Sequence, residues 1–204
     1  AHVCWDSSIT YGDTIYATFE DWLEKTFFIA CKNKKVNWIF RVHPHEKSGT
    51  VNTIINSYNF LKHLFLRYPS ENMKLMDNTV TLTTPDLIPH IFAGITTMGC
   101  VSYELPAMGV PCILCSRKGY AELNFTISCS SSDEYENLLL NIEKISPLDQ
   151  KQIESARKCI GLLFNCENYI NMEVYNKMNE NIKPNGQILR NNEILSQALN
   201  ELIL

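Results

Sequence analysis

The sequence lacks any long apolar run, any excess of basic residues and any internal repeat. Runs such as Ile91–Ile95 and Val110–Cys115 are far shorter than the roughly 20 apolar residues that span a bilayer, so we expect no transmembrane helix. The chain has 18 basic and 22 acidic residues, and this balance excludes the broad basic face of a nucleic-acid-binding protein. The first residues contain neither an initiator methionine nor the apolar core of a signal peptide, which favours an excised fragment.

Eight cysteines are scattered through apolar stretches without the regular spacing of a disulfide framework. This pattern predicts reduced thiols in a cytoplasmic protein. Cys112 and Cys115 form a C-x-x-C pair, a pattern that zinc sites and redox proteins use. No second C-x-x-C or H-x-x-x-H pair completes a tetrahedral site. We therefore expect both thiols to pack as small apolar groups in a buried strand, without a metal.

Strands and amphipathic helices alternate along most of the chain. Short apolar runs predict strands, and apolar residues spaced three and four apart predict helices. Strands separated by helices imply an α/β fold: a Rossmann-like, open, mostly parallel sheet with helices on both faces. We expect this domain over residues 1–146 and a C-terminal helical extension over 147–204. The predicted strands are His2–Trp5, Val36–Val42, Val80–Leu82, Ile91–Thr96 and Val110–Cys115; the predicted helices include Phe19–Ala30, Val51–Phe65, Pro85–His90, Cys100–Met108, Tyr135–Ile145, Ile153–Phe164 and Ile194–Leu202.

Ligands of open parallel sheets bind beyond the carboxyl ends of the strands. Four polar loops follow predicted strands, and the topology would bring them to one edge. We expect them to form a shared ligand site. The loops contain Ser7 and Ser8 after the first strand, His43 to Glu46 after the second, Thr96 to Gly99 after the fourth, and Ser116 to Tyr120 after the fifth.

The loop Thr96–Gly99 stands directly before a predicted helix. Its hydroxyls and the first N–H groups of that helix suit a phosphate. The alternative is an ordinary helix start, with Thr97 as the N-cap and Gly99 easing a turn. Glu104, on the same helix, could accept two hydrogen bonds from a ribose diol, as the acidic residue of dinucleotide folds does, or it could be solvated helix surface.

Two basic clusters complete the candidate site. His43 and His45 flank Pro44, which holds the chain extended, so their rings lie on opposite sides and no third metal ligand is evident. We favour His43 as a donor to a phosphate or a sugar hydroxyl. Arg117 and Lys118 could neutralise a diphosphate, although adjacent basic residues are usually solvated.

Several of these segments, taken in order, resemble a known family. They look like the C-terminal half of bacterial glycosyltransferases of the GT-B fold that build capsule or other surface polysaccharides. The resemblance covers roughly residues 1 to 145, and the order and spacing of the motifs carry it. The segments are Trp5-Asp6-Ser7-Ser8, Arg41-Val-His-Pro-His-Glu46, Thr96-Thr-Met-Gly-Cys-Val-Ser-Tyr-Glu-Leu-Pro-Ala-Met-Gly-Val-Pro111, Gly119-Tyr120 and Asn124-Phe-Thr126.

The resemblance implies the half of a transferase that binds a nucleotide-sugar donor, either a UDP-sugar or a CMP-sugar. It implies a saccharide acceptor held by a preceding half that this chain lacks, so we expect no transfer by the chain alone and name no catalytic residue. No cofactor is implied, and peripheral membrane association of the full protein stays open. The residues expected at the nucleotide and its phosphate are Ser7, Ser8, His43, Thr96, Thr97, Gly99, Glu104, Lys118 and Tyr120.

Two alternatives remain. A nucleotide-sugar 2-epimerase shares the fold and a similar helix glutamate, and a product assay would distinguish it. A non-catalytic module that binds a nucleotide or a sugar is the other, and the sequence upstream of Ala1 would distinguish it from an enzyme.

Overall fold

The computed structural model describes residues 15–43, 57–76, 82–116 and 119–169, with the backbone alone for residues 119, 120 and 164–169. The chain divides into two compact units, Ala1–Arg157 and Lys158–Leu204. The division falls within a helix, later than the boundary after residue 146 that the sequence predicts.

The first unit alternates helices with short parallel strands, and this confirms the α/β class. The strand predicted at His2–Trp5 lies outside the described residues, as do the first turns of the helix predicted from Val51. Three short 3-10 turns, Ile88–His90, Gly119–Leu123 and Ile142–Lys144, connect the larger elements. The described α-helices and β-strands, in chain order, are α1 (Phe19–Lys32), β1 (Trp38–Arg41), α2 (Ser57–Arg67), β2 (Met73–Met76), α3 (Thr84–Leu87), β3 (Gly94–Thr96), α4 (Val101–Ala107), β4 (Cys112–Leu114), β5 (Ile127–Ser128), α5 (Ser132–Leu140) and α6 (Gln150–Tyr169).

Helix α1 forms where the apolar spacing predicts it. The Thr18 hydroxyl accepts a hydrogen bond from the Asp21 N–H at 3.0 Å and caps the first turn. Acidic residues in the first turn and Lys32 in the last match the helix dipole. The face that repeats every three to four residues is buried: Phe19, Trp22, Leu23, Phe27 and Ala30.

The described strands form two parallel sheets. Strand β1 pairs with β2, from Trp38 opposite Met73 to Arg41 opposite Met76. Strand β4 lies between β3 and β5 in the second sheet. The helices cover both faces of the second sheet, because the adjacent residues Cys112 and Ile113 of β4 belong to two different core clusters.

Strand β2 is a correction to the sequence analysis, which did not predict it and placed a strand at Val80–Leu82. Leu82 is not in a strand, and the preceding residues lie outside the described part of the chain. The Asn72 side-chain amide explains the position of β2. It donates to the carbonyl oxygens of Asn33 at 2.9 Å and Val36 at 3.0 Å, which holds the start of β2 beside the start of β1. Strand β5 was also not predicted, since two residues carry no periodicity.

Helix α4 ends at Ala107, its C-cap residue is Met108, and Gly109 follows the cap. The Gly109 N–H donates to the carbonyl of Pro106 at 3.0 Å, and the Val110 N–H to that of Leu105 at 2.9 Å. Gly109 has a φ of 86°, the left-handed conformation that glycine adopts without steric cost.

We expect Gly109→Ala to lower the free energy of unfolding by roughly 1–2 kcal/mol, because an L-residue is strained in that conformation. An added Cβ would lie 3.7 Å from Ile153 Cδ1, an ordinary contact, so backbone strain alone accounts for the loss. Urea denaturation measures it. Gly161→Ala is the control, since its Cβ meets no atom within 4 Å and alanine suits a helix interior. Equal losses at both positions would contradict the prediction.

Candidate functional site

A cleft of about 1190 Å³ lies between β1 and β3. It is bounded by the loops that follow the carboxyl ends of these two strands and by α4. Parallel strands end at the same edge of a sheet, which is where ligands of α/β proteins bind. The cleft also extends along β1 and β3 to the residues that precede them, and its part beside the carboxyl ends contains the loops that the sequence analysis assigns to the ligand.

Four of the predicted site residues line this cleft: His43, Thr96, Gly99 and Glu104. His43 follows β1 by two residues, and its side chain is half-buried. Glu104 is also half-buried and lies on α4, the helix that follows β3. A carboxylate on α4 and an imidazole in the segment after β1 thus line one space.

The end of β3 forms a tight turn. The Thr96 hydroxyl accepts a hydrogen bond from the Gly99 N–H at 3.2 Å, so this donor already has a partner within the loop. The Gly99 carbonyl in turn accepts from the Ser102 N–H at 2.8 Å and begins the first turn of α4. The side chain of Thr96 therefore shapes the loop, whereas Glu104 projects from the helix behind it.

Thr96 and Thr97 are both buried, but Thr97 does not line the cleft. Its hydroxyl and that of Ser102 have no hydrogen-bond partner among the described residues. Thr97 is also not the N-cap residue, which is Cys100, and Cys100 makes no side-chain cap. Leaving a buried hydroxyl unbonded costs about 1–3 kcal/mol, so these two hydroxyls at the start of α4 could bond a polar group that the structure does not contain.

The cleft also contains polar residues that the sequence analysis did not assign to it. Arg41, at the end of β1, donates to the Thr84 hydroxyl at 2.8 Å and to the Leu82 carbonyl at 3.1 Å, which ties the start of α3 to the cleft wall. His90 and Glu122 line the opening and are exposed. Arg41 lies in the same sequence segment as His43, and this proximity could have predicted that Arg41 also lines the cleft.

The remaining predicted site residues stay predictions. Ser7, Ser8 and Lys118 lie outside the described residues, together with His45 and Arg117. For Tyr120 the structure describes the backbone, within the 3-10 turn Gly119–Leu123, and not the side chain.

The C-x-x-C cysteines lie in the core, as the sequence analysis expects. Cys112 and Cys115 are free and fully buried. Burial raises the pKa of Cys112 to about 12 and also raises the pKa of Cys115, so both are neutral thiols at physiological pH. Within the described ranges, no three histidine, cysteine or acidic side chains come together as metal ligands.

Comparison with models of protein families, with curated proteins and with solved structures returns no match for this chain. None of the helices that the structure describes is both long enough and apolar enough to span a bilayer.

Proposed function

We propose that the cleft binds the nucleotide of an activated sugar and that the chain is the donor-binding half of a glycosyltransferase of the GT-B fold. The observation that carries this proposal is that His43, Thr96, Gly99 and Glu104, which come from two separate segments of the sequence, line one cleft at the carboxyl ends of parallel strands. A Rossmann-like sheet belongs to the same proposal, because both described sheets are parallel.

Each of these residues has a chemical role in the proposed site. Glu104 accepts hydrogen bonds from the two ribose hydroxyls, and a charged acceptor makes such bonds strong. His43 donates to a phosphate oxygen or a sugar hydroxyl. The loop Thr96–Gly99 lets the phosphate approach the backbone closely.

The full activity rests on a further half of the protein. In the resembling family the acceptor half usually supplies the catalytic base of inverting enzymes, so this chain binds nucleotide and transfers no sugar by itself. Its product is a capsule or other surface polysaccharide. The six described cysteines are free, and this supports a reducing, cytoplasmic location.

Isothermal titration of the chain with UDP, CMP and GDP tests binding. We expect at least one of them to bind, and Glu104→Gln to weaken that binding about tenfold or more, because hydrogen bonds to a charged group contribute about 1.5–3 kcal/mol each. The 2′-deoxy form of the same nucleotide should bind the unmodified chain more weakly than the ribonucleotide does, and this difference should be smaller for Glu104→Gln, whose amide oxygen is an uncharged acceptor.

Glu71→Gln is the matched control. This substitution removes the same charge at an exposed position that does not line the cleft. The Glu71→Gln chain should therefore bind the nucleotide with the same dissociation constant as the unmodified chain. The proposal fails if no nucleotide binds at millimolar concentration, if both variants weaken binding equally, or if the chain alone transfers sugar.

A further inference from the structure

Strands β4 and β5 end side by side, and a cysteine follows the end of each. The two strands are parallel, and their last paired residues are Leu114 and Ser128. The next residues along the two strands are Cys115 and Cys129. Adjacent strands lie about 4.8 Å apart, and a disulfide joins Cα atoms that are roughly 4.4–6.8 Å apart. The register therefore brings this pair of cysteines within range of a disulfide.

The two cysteine side chains also share one face of the sheet. Side chains at alternate positions of a strand lie on the same face, so Cys115 shares the face of Ile113. By the same rule, Cys129 shares the face of Ile127. Ile113 and both cysteines belong to one buried core cluster, and Ile127 packs against it. Both cysteines are free and no more than 1% exposed, so their sulfur atoms lie in the same apolar layer of the core.

Electrostatic interactions support the proximity of the two thiols. Burial raises the pKa of the Cys115 thiol, and Cys129 raises it further. The pKa of Tyr16 is raised by burial first and then by Glu136, with further contributions from both cysteines. Such interactions weaken with distance, so the two thiols are neighbours of each other and of the same tyrosine.

The other cysteine of the C-x-x-C pair lies on the opposite face of the sheet. Cys112 belongs to a different buried cluster, together with Leu105 and Val110. Residues three apart in a strand point in opposite directions, so the sequence pattern pairs Cys112 with Cys115 but the strand separates their side chains. The neighbour that the fold provides for Cys115 is Cys129.

We propose that Cys115 and Cys129 form an oxidation site, a dithiol that hydrogen peroxide converts to a disulfide across the ends of β4 and β5. The thiolate of one cysteine attacks a peroxide oxygen, the O–O bond breaks, and the sulfur becomes a sulfenic acid as water leaves. The second thiol attacks this sulfur, forms the S–S bond and releases another water. Two thiols thereby lose two electrons and two protons, and one peroxide molecule is reduced to two waters.

The environment of the thiols sets the order of these steps. Burial and the nearby Glu134 raise the pKa of Cys129 to about 11, and the pKa of Cys115 is raised still higher. The thiolate is the reacting form, so Cys129 attacks the peroxide and Cys115 then attacks the sulfenic acid. Little thiolate is present at physiological pH, so oxidation is slow and the dithiol is the resting form under reducing conditions.

The disulfide would close the loop that runs from Cys115 to Cys129. This loop includes Glu122 and Leu123, which line the cleft. A cross-link lowers the entropy of the unfolded chain and stabilises the folded one, so oxidation would restrain one wall of the cleft without touching a ligand. The oxidation site goes beyond the proposed function and does not depend on it, because the two thiols are neighbours whether or not the cleft binds a nucleotide.

Peptide mapping of the full chain after treatment with hydrogen peroxide tests the proposal. The folded chain is oxidised, the remaining thiols are blocked in urea, and the tryptic peptides are analysed by tandem mass spectrometry without reduction. We expect the link between Cys115 and Cys129 to be the main disulfide, and a thiol reductant to remove it. Cys129→Ala should abolish the link. Cys112→Ala is the matched control, since it removes another buried thiol next to Cys115 in sequence and should leave the link in place.

Oxidation in urea provides the second comparison. An unfolded chain favours pairs that are close in sequence, so the link between Cys112 and Cys115 should there exceed the link between Cys115 and Cys129. The folded, linked chain should unfold at a higher urea concentration than the reduced chain, and Cys129→Ala should show no such increase after the same treatment.

Three results would overturn the proposal. The first is that the folded chain forms no link between Cys115 and Cys129. The second is that the folded chain gives the same mixture of links as the chain in urea, because the fold would then have no part in the pairing. The third is that the linked chain unfolds at a lower urea concentration than the reduced chain, because the bond would then distort the ends of the two strands.

Discussion

Phe27→Ala is expected to lower the free energy of unfolding by about 3–5 kcal/mol, one of the two largest effects that this structure predicts. Phe27 is 0% exposed and lies where α1, β1 and α2 meet. Its ring centroid is 5.7 Å from that of Phe40 and 5.1 Å from that of Phe65. Alanine would remove the contacts of Phe27 with both elements and leave a cavity that this aromatic cluster has little freedom to fill.

Urea denaturation followed by circular dichroism measures the loss. Leu66→Ala is the control, because Leu66 lies on α2 and is 75% exposed, so its truncation should change stability by no more than about 0.5 kcal/mol. A loss below about 1 kcal/mol for Phe27→Ala would show that α1 does not pack at the centre of this core.

Tyr135→Phe is the second substitution with a large expected effect, although it removes a single oxygen. The Tyr135 hydroxyl accepts from the Trp22 indole N–H at 2.8 Å and lies 2.8 Å from the Thr26 hydroxyl. Thr26 uses its proton to bond the Trp22 carbonyl at 2.7 Å, so Tyr135 must donate to Thr26. All three residues are buried, and the pair of bonds joins α1 to α5.

Phenylalanine would leave the Trp22 N–H without its acceptor inside the core. An unsatisfied buried donor costs about 1–3 kcal/mol, and we expect a loss of that size in the free energy of unfolding. Tyr68→Phe is the control, since Tyr68 is exposed and its hydroxyl has no part in this network. Equal stability of Tyr135→Phe and the unmodified chain would contradict the hydrogen-bond assignment.

The same variant has a distinct pH dependence. Burial is the main cause that raises the pKa of Tyr135 well above its ordinary value of 10.0. Because this pKa is raised, the folded chain keeps the phenol proton at a pH where the unfolded chain has released it. The contribution of the Tyr135 hydroxyl to the free energy of unfolding is therefore complete below pH 10 and is lost as the pH rises above 10. The difference in stability between the unmodified chain and Tyr135→Phe should therefore narrow above pH 10, by up to about 1.4 kcal/mol per pH unit.

The sequence by itself determined the α/β class, the main helices and part of the candidate site. Helix periodicity is a local property, so the spacing of Phe19, Trp22 and Phe27 is enough to predict α1 and its buried face. The position of His43 just after a strand, and of Glu104 on the helix after another, follows from the same local patterns. These two residues then line one cleft, as the rule for parallel sheets predicts.

Three other features were decided by the tertiary structure alone, because each depends on contacts between residues that are far apart in the chain or on the packing of a neighbouring element. Strand β2 exists where Asn72 holds it beside β1, and its four residues show no pattern that distinguishes them from a loop. The bond between Trp22 and Tyr135 joins residues 113 positions apart, which no window of sequence contains. Thr96 lines the cleft and Thr97 does not, since successive residues at a strand end point in opposite directions and the packing of α4 decides which one faces the cleft.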